Sequence, residues 1–301
     1  MYCNKLFFYL ICLSIFFLRI VIAADGDVIT INTDTTALQT ITDDNVTLIN
    51  NANLSRSGTQ VIQLGGTSGT TITNNAGASI TANKDVIRCT AACTNPTLNN
   101  FGTISNTTTA GGLIRFDGAT GATVNNNSGG VIQGVGSEDD GHHAVDIGTS
   151  GTLINKGTII RTDNGAPGLE SATSAIAIQG NDCVILLKDD SILVGTINNF
   201  LEKTGVKLQV QHGYGRSYMY HTIGPLELAD LSGNRIVKGS ATAVGMGAQE
   251  TVDELLGLRA YNLRATLKRY ADLQNPKATI EPFAYASHRD RDRTTLRYEN
   301  Y

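Results

Sequence analysis

A stretch of acidic and histidine side chains at residues 138–143 is the densest group of potential metal ligands in this sequence. It reads Glu-Asp-Asp-Gly-His-His, and its candidate ligands are Asp139, Asp140, His142 and His143. Carboxylates of this kind bind Ca²⁺, whereas imidazoles bind a softer ion. The same composition is typical of a solvated loop on an acidic protein, and we favour that interpretation. The sequence therefore predicts no metal site and no cofactor, with these four residues as the alternative.

Asp146 lies three residues after His143, which raises the question of Ser-His-Asp hydrolysis. That chemistry needs a nucleophile positioned beside a base. The chain contains neither a Gly-x-Ser-x-Gly phrase nor a Gly-Asp-Ser-Gly phrase. We therefore predict no protease activity and no catalytic residue of this type.

Two cysteines close a short loop that could oxidise. Cys89 and Cys93 flank the sequence Thr-Ala-Ala, and a disulfide between them would form only outside the cytoplasm. A metal site would need more Cys or His ligands at short spacing. Cys183 precedes an apolar run at residues 184–187 and is interpreted as a small buried hydrophobe. The sequence predicts a local disulfide between Cys89 and Cys93.

Residues 1–24 have the pattern of a secretory signal peptide. Lys5 supplies the positive start, residues 6–18 form an apolar run, and Ala23 and Ala24 offer a cleavage site. A membrane anchor would need about 20 apolar residues, and Arg19 ends the run before that length. We expect an exported protein from which this segment is removed.

A phrase of Thr, an apolar residue and Asn recurs along the first two-thirds of the chain and indicates its architecture. Successive copies start 24 to 29 residues apart, a period typical of a solenoid, whose units bury their apolar faces on one another. The copies start at Thr47, Thr71, Thr97, Thr123 and Thr152. The repeat predicts a stacked fold in which each copy is one coil.

Each repeat contains three short apolar groups separated by Gly, Asn or Asp. In the third copy they are Leu98, Ile104 and residues 113–116. Three short strands bounded by turn residues predict an all-β, right-handed parallel β-helix over residues 25–200, with about five coils. The apolar residue of each phrase should form an inward stack, and the Asn a neighbouring ladder of amides. Asn also tolerates the left-handed backbone angles of tight corners.

The composition changes near residue 200. Residues 201–247 keep strand-like alternation without the phrase, and we interpret them as a β junction. Residues 248–275 have apolar side chains three and four apart with basic residues between them, which predicts one amphipathic linker helix that Pro276 ends. Residues 276–301 read as an aromatic hairpin.

This order of parts resembles a bacterial autotransporter, a type V secretion protein. The resemblance rests on Thr-Leu-Ile-Asn-Lys-Gly-Thr-Ile (152–159) and its siblings, on residues 238–273 as junction and helix, and on Glu281-Pro-Phe-Ala-Tyr-Ala-Ser as a first barrel strand. The family implies a twelve-stranded outer-membrane barrel, with the outer membrane and its barrel-assembly machinery as partners. Each membrane strand needs about 9–11 residues, so residues 276–301 hold at most two strands of a truncated barrel.

Composition and context narrow the function. The net charge is −4 and the repeat region has no basic run, so we expect no nucleic-acid ligand. We expect an exported, non-enzymatic stem or adhesin at the cell surface, outer membrane or periplasm, with a host-surface or carbohydrate ligand. One alternative is a polysaccharide-degrading β-helix enzyme in which Asp117, Asp146 and Asp163 line up, although paired carboxylates prove nothing without distances. Another is an inert fragment of an autotransporter gene.

Overall fold

The computed structural model describes residues 24–244, with gaps at 59, 109–110, 137–142, 164–165 and 168–173, and residue 264. Up to residue 244 its secondary structure consists of 28 strands joined by turns. Most of the predicted signal peptide, almost all of the linker helix at 248–275 and the hairpin at 276–301 lie outside the described residues. Within the part that the structure describes, no helix combines the length and the apolar character needed to cross a membrane.

The strands are short, most of them three to five residues, because Gly, Asn and Asp interrupt the apolar groups. In chain order they are β1 (Val28–Ile31), β2 (Gln39–Ile41), β3 (Thr47–Asn50), β4 (Asn53–Arg56), β5 (Ile62–Leu64), β6 (Thr71–Asn74), β7 (Ser79–Ala82), β8 (Ile87–Cys89), β9 (Cys93–Thr94), β10 (Thr97–Asn100), β11 (Thr103–Asn106), β12 (Ile114–Thr120), β13 (Thr123–Asn126), β14 (Val131–Gly136), β15 (Val145–Thr149), β16 (Thr152–Asn155), β17 (Thr158–Asp163), β18 (Ala166–Pro167), β19 (Ile176–Ile178), β20 (Val184–Lys188), β21 (Ile192–Val194), β22 (Ile197–Asn198), β23 (Lys207–Gln211), β24 (Tyr218–Met219), β25 (Thr222–Ile223), β26 (Glu227–Asp230), β27 (Arg235–Ile236) and β28 (Thr242–Val244).

Three long sheets run along the molecule, and most coils add one strand to each. Sheet 1 has the order β1-β3-β6-β10-β13-β16-β20-β23-β26. Sheet 2 has the order β18-β17-β14-β11-β7-β4, with β21 also on β17, and sheet 3 runs β2-β5-β8-β12-β15-β19-β22-β25, with β9 beside β12. Apart from β17–β18, the pairs in these sheets are parallel. The prediction of an all-β parallel solenoid is confirmed.

The stack is longer than the repeated phrase indicates. Sheet 1 contains nine strands, whereas the phrase predicts about five coils. Strands β20, β23 and β26 continue it in register without Thr or the ladder Asn, and β23 and β26 lie in residues assigned to the β junction. Strand β1 forms the N-terminal edge of sheet 1 and β2 that of sheet 3.

Register places like residues on like residues in the five copies of the phrase. Each Thr lies opposite the next Thr, each apolar residue opposite the next apolar residue, and each Asn opposite the next Asn. The apolar members are buried, which confirms the predicted inward stack; they are Leu48, Ile72, Leu98, Val124 and Leu153. Neighbouring strands lie about 4.8 Å apart, so the stack is continuous.

The five Asn side chains form the predicted ladder inside the core. Along Asn50, Asn74, Asn100, Asn126 and Asn155, each Nδ2 donates to the next Oδ1 at 2.8–2.9 Å. Each Nδ2 also donates to a carbonyl oxygen of the second strand of the next coil, at 3.1–3.3 Å. Because the five side chains are fully buried, these bonds replace the water that the amides lose on folding.

The left-handed corner lies two residues before sheet 1, not at the ladder. Eight residues at this position have φ between 50° and 79°; they are Gly26, Asn45, Gly69, Asn95, Gly121, Ser150, Asp182 and Gly205. Each of the first seven donates its backbone N–H to a carbonyl oxygen of the next coil, as Asn45 does to Ser68 at 2.7 Å. The position favours Gly, Asn and Asp because in other residues Cβ comes too close to the following carbonyl oxygen in this conformation.

A small antiparallel sheet joins the core at the C-terminal coils. Sheet 4 has the order β24-β28-β27, and its Tyr218 and Ala243 belong to the buried core. The rings of Tyr218 and Tyr220 lie 5.4 Å apart, and that of His212 lies 5.7 Å from Tyr218. This change from parallel to antiparallel pairing marks the end of the regular stack.

Candidate functional site

A group of charged side chains lies on the outer face of sheet 3, across three successive coils. Arg115 of β12 is opposite Arg88 of β8 on one side and Asp146 of β15 on the other. The flanking residues Ile114 and Val145 are buried in the core. Because strand side chains alternate between faces, the three charged residues point away from that core.

Arg115 is at the centre of this group. Its Nη1 lies 3.4 Å from Oδ2 of Asp85, its Nη2 3.2 Å from Oδ2 of Asp117, and its Nε 3.7 Å from Oδ2 of Asp146. Nη1 of Arg88 lies 3.2 Å from the same oxygen of Asp85. Nε2 of His143 lies 3.9 Å from Oδ1 of Asp146. We call these six residues the charged cluster: Asp85, Arg88, Arg115, Asp117, His143 and Asp146.

Burial changes the acid–base properties of the cluster. Loss of water and the negative charges of Asp117 and Asp85 raise the pKa of Asp146, while Arg115 and a hydrogen bond from Gln179 oppose the rise, and the result is a pKa of about 7. Burial also opposes the charge of Arg115, but Asp85, Asp117 and Asp146 outweigh it, so the pKa of Arg115 is raised and the guanidinium stays protonated. At neutral pH, Asp146 can therefore both give and take a proton.

Several polar atoms of the cluster have no hydrogen-bond partner of normal geometry. They are Oδ1 of Asp146 and Nε of both Arg88 and Arg115. Buried polar atoms are nearly always hydrogen-bonded, so this is unused capacity for water or a polar ligand. The side chain of Asp146 is 5% exposed and that of Asp117 is 35% exposed, which gives the two carboxyl groups different access to solvent.

Comparison with known proteins finds no match for this chain. No family model matches the chain, and it matches neither a curated protein nor a solved structure.

The structure brings some of the predicted site residues together and separates others. His143 is in the charged cluster, whereas Asp139, Asp140 and His142 lie outside the described residues. Among the residues that are described, no group of three or more His, Cys, Asp or Glu is arranged to hold a metal ion. Asp117 and Asp146 meet at Arg115, but Asp163 belongs to β17 of sheet 2 and not to this sheet.

The sequence interpretation missed Asp85, Arg88 and Arg115. One signal could have found the two arginines, because each follows an Ile at the same place in consecutive repeats, as Ile87-Arg88 and Ile114-Arg115. Because side chains alternate between the two faces of a strand, a charge that follows an inward Ile in two consecutive repeats predicts two side chains on one outer sheet face.

The two cysteines of the predicted disulfide are close and buried. Cys89 ends β8, Cys93 begins β9, and both thiols are free in this structure. The thiol of Cys89 donates a hydrogen bond toward Cys93, which raises the pKa of Cys89 and is the main cause of a lowered pKa at Cys93. Backbone hydrogen bonds from Gly66 and Thr67 also lower the pKa of Cys93, burial opposes them, and the result is a pKa of about 7. The disulfide stays a prediction, and Cys183 is buried as expected.

Proposed function

We propose that this chain is an exported, non-enzymatic surface passenger of the autotransporter type, whose solenoid is a stem or an adhesive surface. The nine parallel strands of sheet 1, stacked without interruption, carry this proposal. The proposal includes right-handed winding, a cleaved signal at residues 1–24, a linker helix at 248–275 and the first strands of a barrel at 276–301. Its partners are the outer membrane, the barrel-assembly machinery, and a host-surface or carbohydrate ligand.

The stacking explains how such a passenger could fold after export. Each coil pairs only with its neighbours, so the edge of one coil templates the next and no distant contact is needed. The nine strands span about 40 Å at the usual strand spacing. This is a rigid rod held by local contacts, which suits a stem.

The outer surface supports an adhesive role. The five Thr residues of the phrase form one half-exposed column on sheet 1; they are Thr47, Thr71, Thr97, Thr123 and Thr152. Asn99 and Asn125 continue this polar face, with Nδ2 of Asn125 donating to Oδ1 of Asn99 at 2.9 Å. Hydroxyl and amide groups at a fixed repeat offer regular hydrogen-bond partners to a glycan or protein surface.

Export and adhesion can be tested on the full chain expressed in a Gram-negative host. We expect cell fractionation to place the protein beyond the inner membrane, and N-terminal sequencing to find cleavage next to Ala23 or Ala24. The purified protein should bind cultured host cells or a glycan array. Uncleaved protein that stays in the cytoplasm would refute export. Exported protein that binds neither cells nor glycans would exclude the adhesive role, and the stem and the inert fragment would remain. A barrel sequence downstream of Tyr301 would then favour the stem.

A second candidate function is hydrolysis of a polysaccharide at the charged cluster. Asp117 and Asp146 contact the same guanidinium, so their oxygens lie no more than about 9 Å apart, which is compatible with paired carboxylates of glycoside hydrolases. Protonated Asp146 would give its proton to the leaving oxygen, and Asp117 would take a proton from the attacking water. The raised pKa of Asp146 suits the role of the acid.

The enzyme candidate has a direct test. Reducing-sugar release from a panel of polysaccharides should fall to background in Asp146→Asn and in Asp117→Asn. Asp43→Asn is the matched control, because Asp43 is a partly exposed carboxylate outside the cluster. Activity that survives both cluster substitutions would exclude this site, and a wild-type protein without activity on any polysaccharide would exclude the function.

A further inference from the structure

A cavity of about 490 Å³ opens beside the C-terminal coils, far along the chain from the charged cluster. Three successive turns of sheet 1 line it, those that follow β20, β23 and β26. Its volume lies within the roughly 300–1,000 Å³ of small-molecule sites. The Thr-apolar-Asn phrase is absent from these coils, so their side chains do not have to repeat from one coil to the next.

The cavity combines an aromatic ring with hydrogen-bonding groups. Tyr214 is 65% exposed and Leu231 is 49% exposed, and both line this cavity, so they offer apolar surface to a ligand there. Gln211 and Lys188 line the same space, and Arg216 crosses to the neighbouring turn, where its Nη1 lies 2.5 Å from Oδ1 of Asp190. An apolar face beside donors and acceptors matches a ligand with C–H groups on one side and hydroxyls at its edge.

Hydrogen bonds from the next coil hold the turn that carries Tyr214, at the residue before the tyrosine and at the residue after it. The backbone N–H of Gly213 donates to Oγ of Ser232 at 2.9 Å, and that of Gly215 donates to Oδ1 of Asn234 at 2.7 Å. Nδ2 of Asn234 donates back to the carbonyl oxygen of Gly213 at 3.0 Å. Because the next coil fixes the residues on either side of the ring, little backbone freedom is lost when a ligand binds.

We propose that this cavity binds a neutral sugar unit of a glycan, with the pyranose face stacked on Tyr214 and its hydroxyls bonded to Gln211 and Lys188. The lining holds two cations, Lys188 and Arg216, and two anions at residues 189 and 190, so it carries no net charge that would favour a uronate. The site deepens the proposed adhesive function and rests on it for its biological role. The binding of a sugar at this site depends only on the residues that line the cavity, and not on whether the protein is an adhesin.

The experiment uses the full chain and an array of neutral and acidic oligosaccharides, followed by calorimetric titration with the best neutral one. We expect Tyr214→Ala to weaken binding at least tenfold and Tyr214→Phe to retain most of it, because the ring remains. Phe200→Ala is the matched control: Phe200 is also an exposed aromatic, at 45%, but it does not line the cavity. Circular dichroism should be unchanged in all three variants.

The outcomes separate the site from the function. Binding only to acidic glycans, binding to none, or equal affinity in Tyr214→Ala and wild type would each overturn the proposed site. Cell adhesion that persists in Tyr214→Ala would leave the adhesin intact and exclude this cavity as its contact. Glycan binding that is lost in Tyr214→Ala, in a protein that is never exported, would support the cavity and refute the surface passenger.

Discussion

Replacement of one amide in the Asn ladder should destabilise the protein far more than replacement of its neighbour on the same strand. Asn100 and Asn99 are adjacent in β10, but Asn100 is fully buried and Asn99 faces outward. Asn100 accepts a hydrogen bond from Asn74 at 2.9 Å and donates to Asn126 at 2.9 Å and to the carbonyl oxygen of Val131 at 3.3 Å. Asn99 accepts one bond, from Asn125 at the half-exposed surface.

The magnitude follows from these partners. Asn100→Ala removes three hydrogen bonds, each worth about 1 kcal/mol net, and leaves Oδ1 of Asn126 buried without its donor, which costs about 1–3 kcal/mol more. We therefore expect the free energy of unfolding to fall by about 4–6 kcal/mol. Asn99→Ala should lower it by no more than about 1 kcal/mol, because water can replace the lost partner.

The assay is urea unfolding of the purified protein, followed by far-ultraviolet circular dichroism, with Asn99→Ala as the control. A double-mutant cycle of Asn74→Ala and Asn100→Ala should give a coupling energy of about 0.5–3 kcal/mol, because the two amides are bonded directly. Asn100→Asp should be destabilising at neutral pH and partly recover in acid, where the protonated carboxyl regains a donor. Equal destabilisation by Asn99→Ala and Asn100→Ala, within about 0.5 kcal/mol, would refute the reasoning, because the ladder would then contribute nothing beyond an outward amide.

Three further predictions follow from other contacts. The pKa of Asp146 is about 7 in the folded state and its reference value is 3.8. As the pH rises from about 4 to about 7, the wild type should therefore lose up to about 4 kcal/mol of stability relative to Asp146→Asn, measured by urea unfolding at several pH values in this range. Parallel pH profiles of the two proteins would contradict the shifted pKa. Gly130→Ala should cost about 1–3 kcal/mol, because its Cβ would meet oxygens of the ladder coils at 2.5 and 2.6 Å, whereas Gly58→Ala, with open space around its Cβ, should be neutral in thermal unfolding. In protein isolated from the periplasm and unfolded in denaturant without reductant, mass spectrometry after alkylation should find Cys89 and Cys93 unmodified; because both thiols are then accessible, alkylation of both would exclude the disulfide.

The sequence predicts the fold where the repeat is strict and less of it where the repeat fades. The phrase repeats because each of its residues contacts the equivalent residue one coil away. Its five copies therefore predict both the inward stack of apolar side chains and the ladder of Asn side chains. From β20 onward, Leu187 replaces the ladder Asn opposite Asn155. Parallel backbone bonding needs only an inward apolar residue, which Ile185 and Leu208 supply. The later coils therefore keep the parallel stacking of sheet 1 although they lack the Thr-apolar-Asn phrase that predicts it.

The charged cluster was harder to predict because sheet 3 does not keep a fixed distance along the chain. Arg115 follows Arg88 by 27 residues, but its next neighbour Asp146 follows by 31, mainly because the turn between β13 and β14 and strand β14 itself are each two residues longer than their counterparts one coil earlier. A search at the repeat period alone aligns the arginines and misses the aspartate. The burial that raises the pKa of Asp146 is a tertiary property and has no local signature.

Both candidate sites use outward positions of successive coils, and neither uses the inward stack or the ladder. A rigid stack fixes the spacing of such positions, so chemistry can change on the surface while the core stays the same. Stability and binding should therefore separate: Asn100→Ala should lower the unfolding free energy without weakening a glycan bound at Tyr214, provided that the protein is folded at the temperature of the assay. Tyr214→Ala should do the reverse, because Tyr214 is largely exposed and lies outside the buried core. Weakened binding in the folded Asn100→Ala variant would mean that the ladder also sets the geometry of the distant turns.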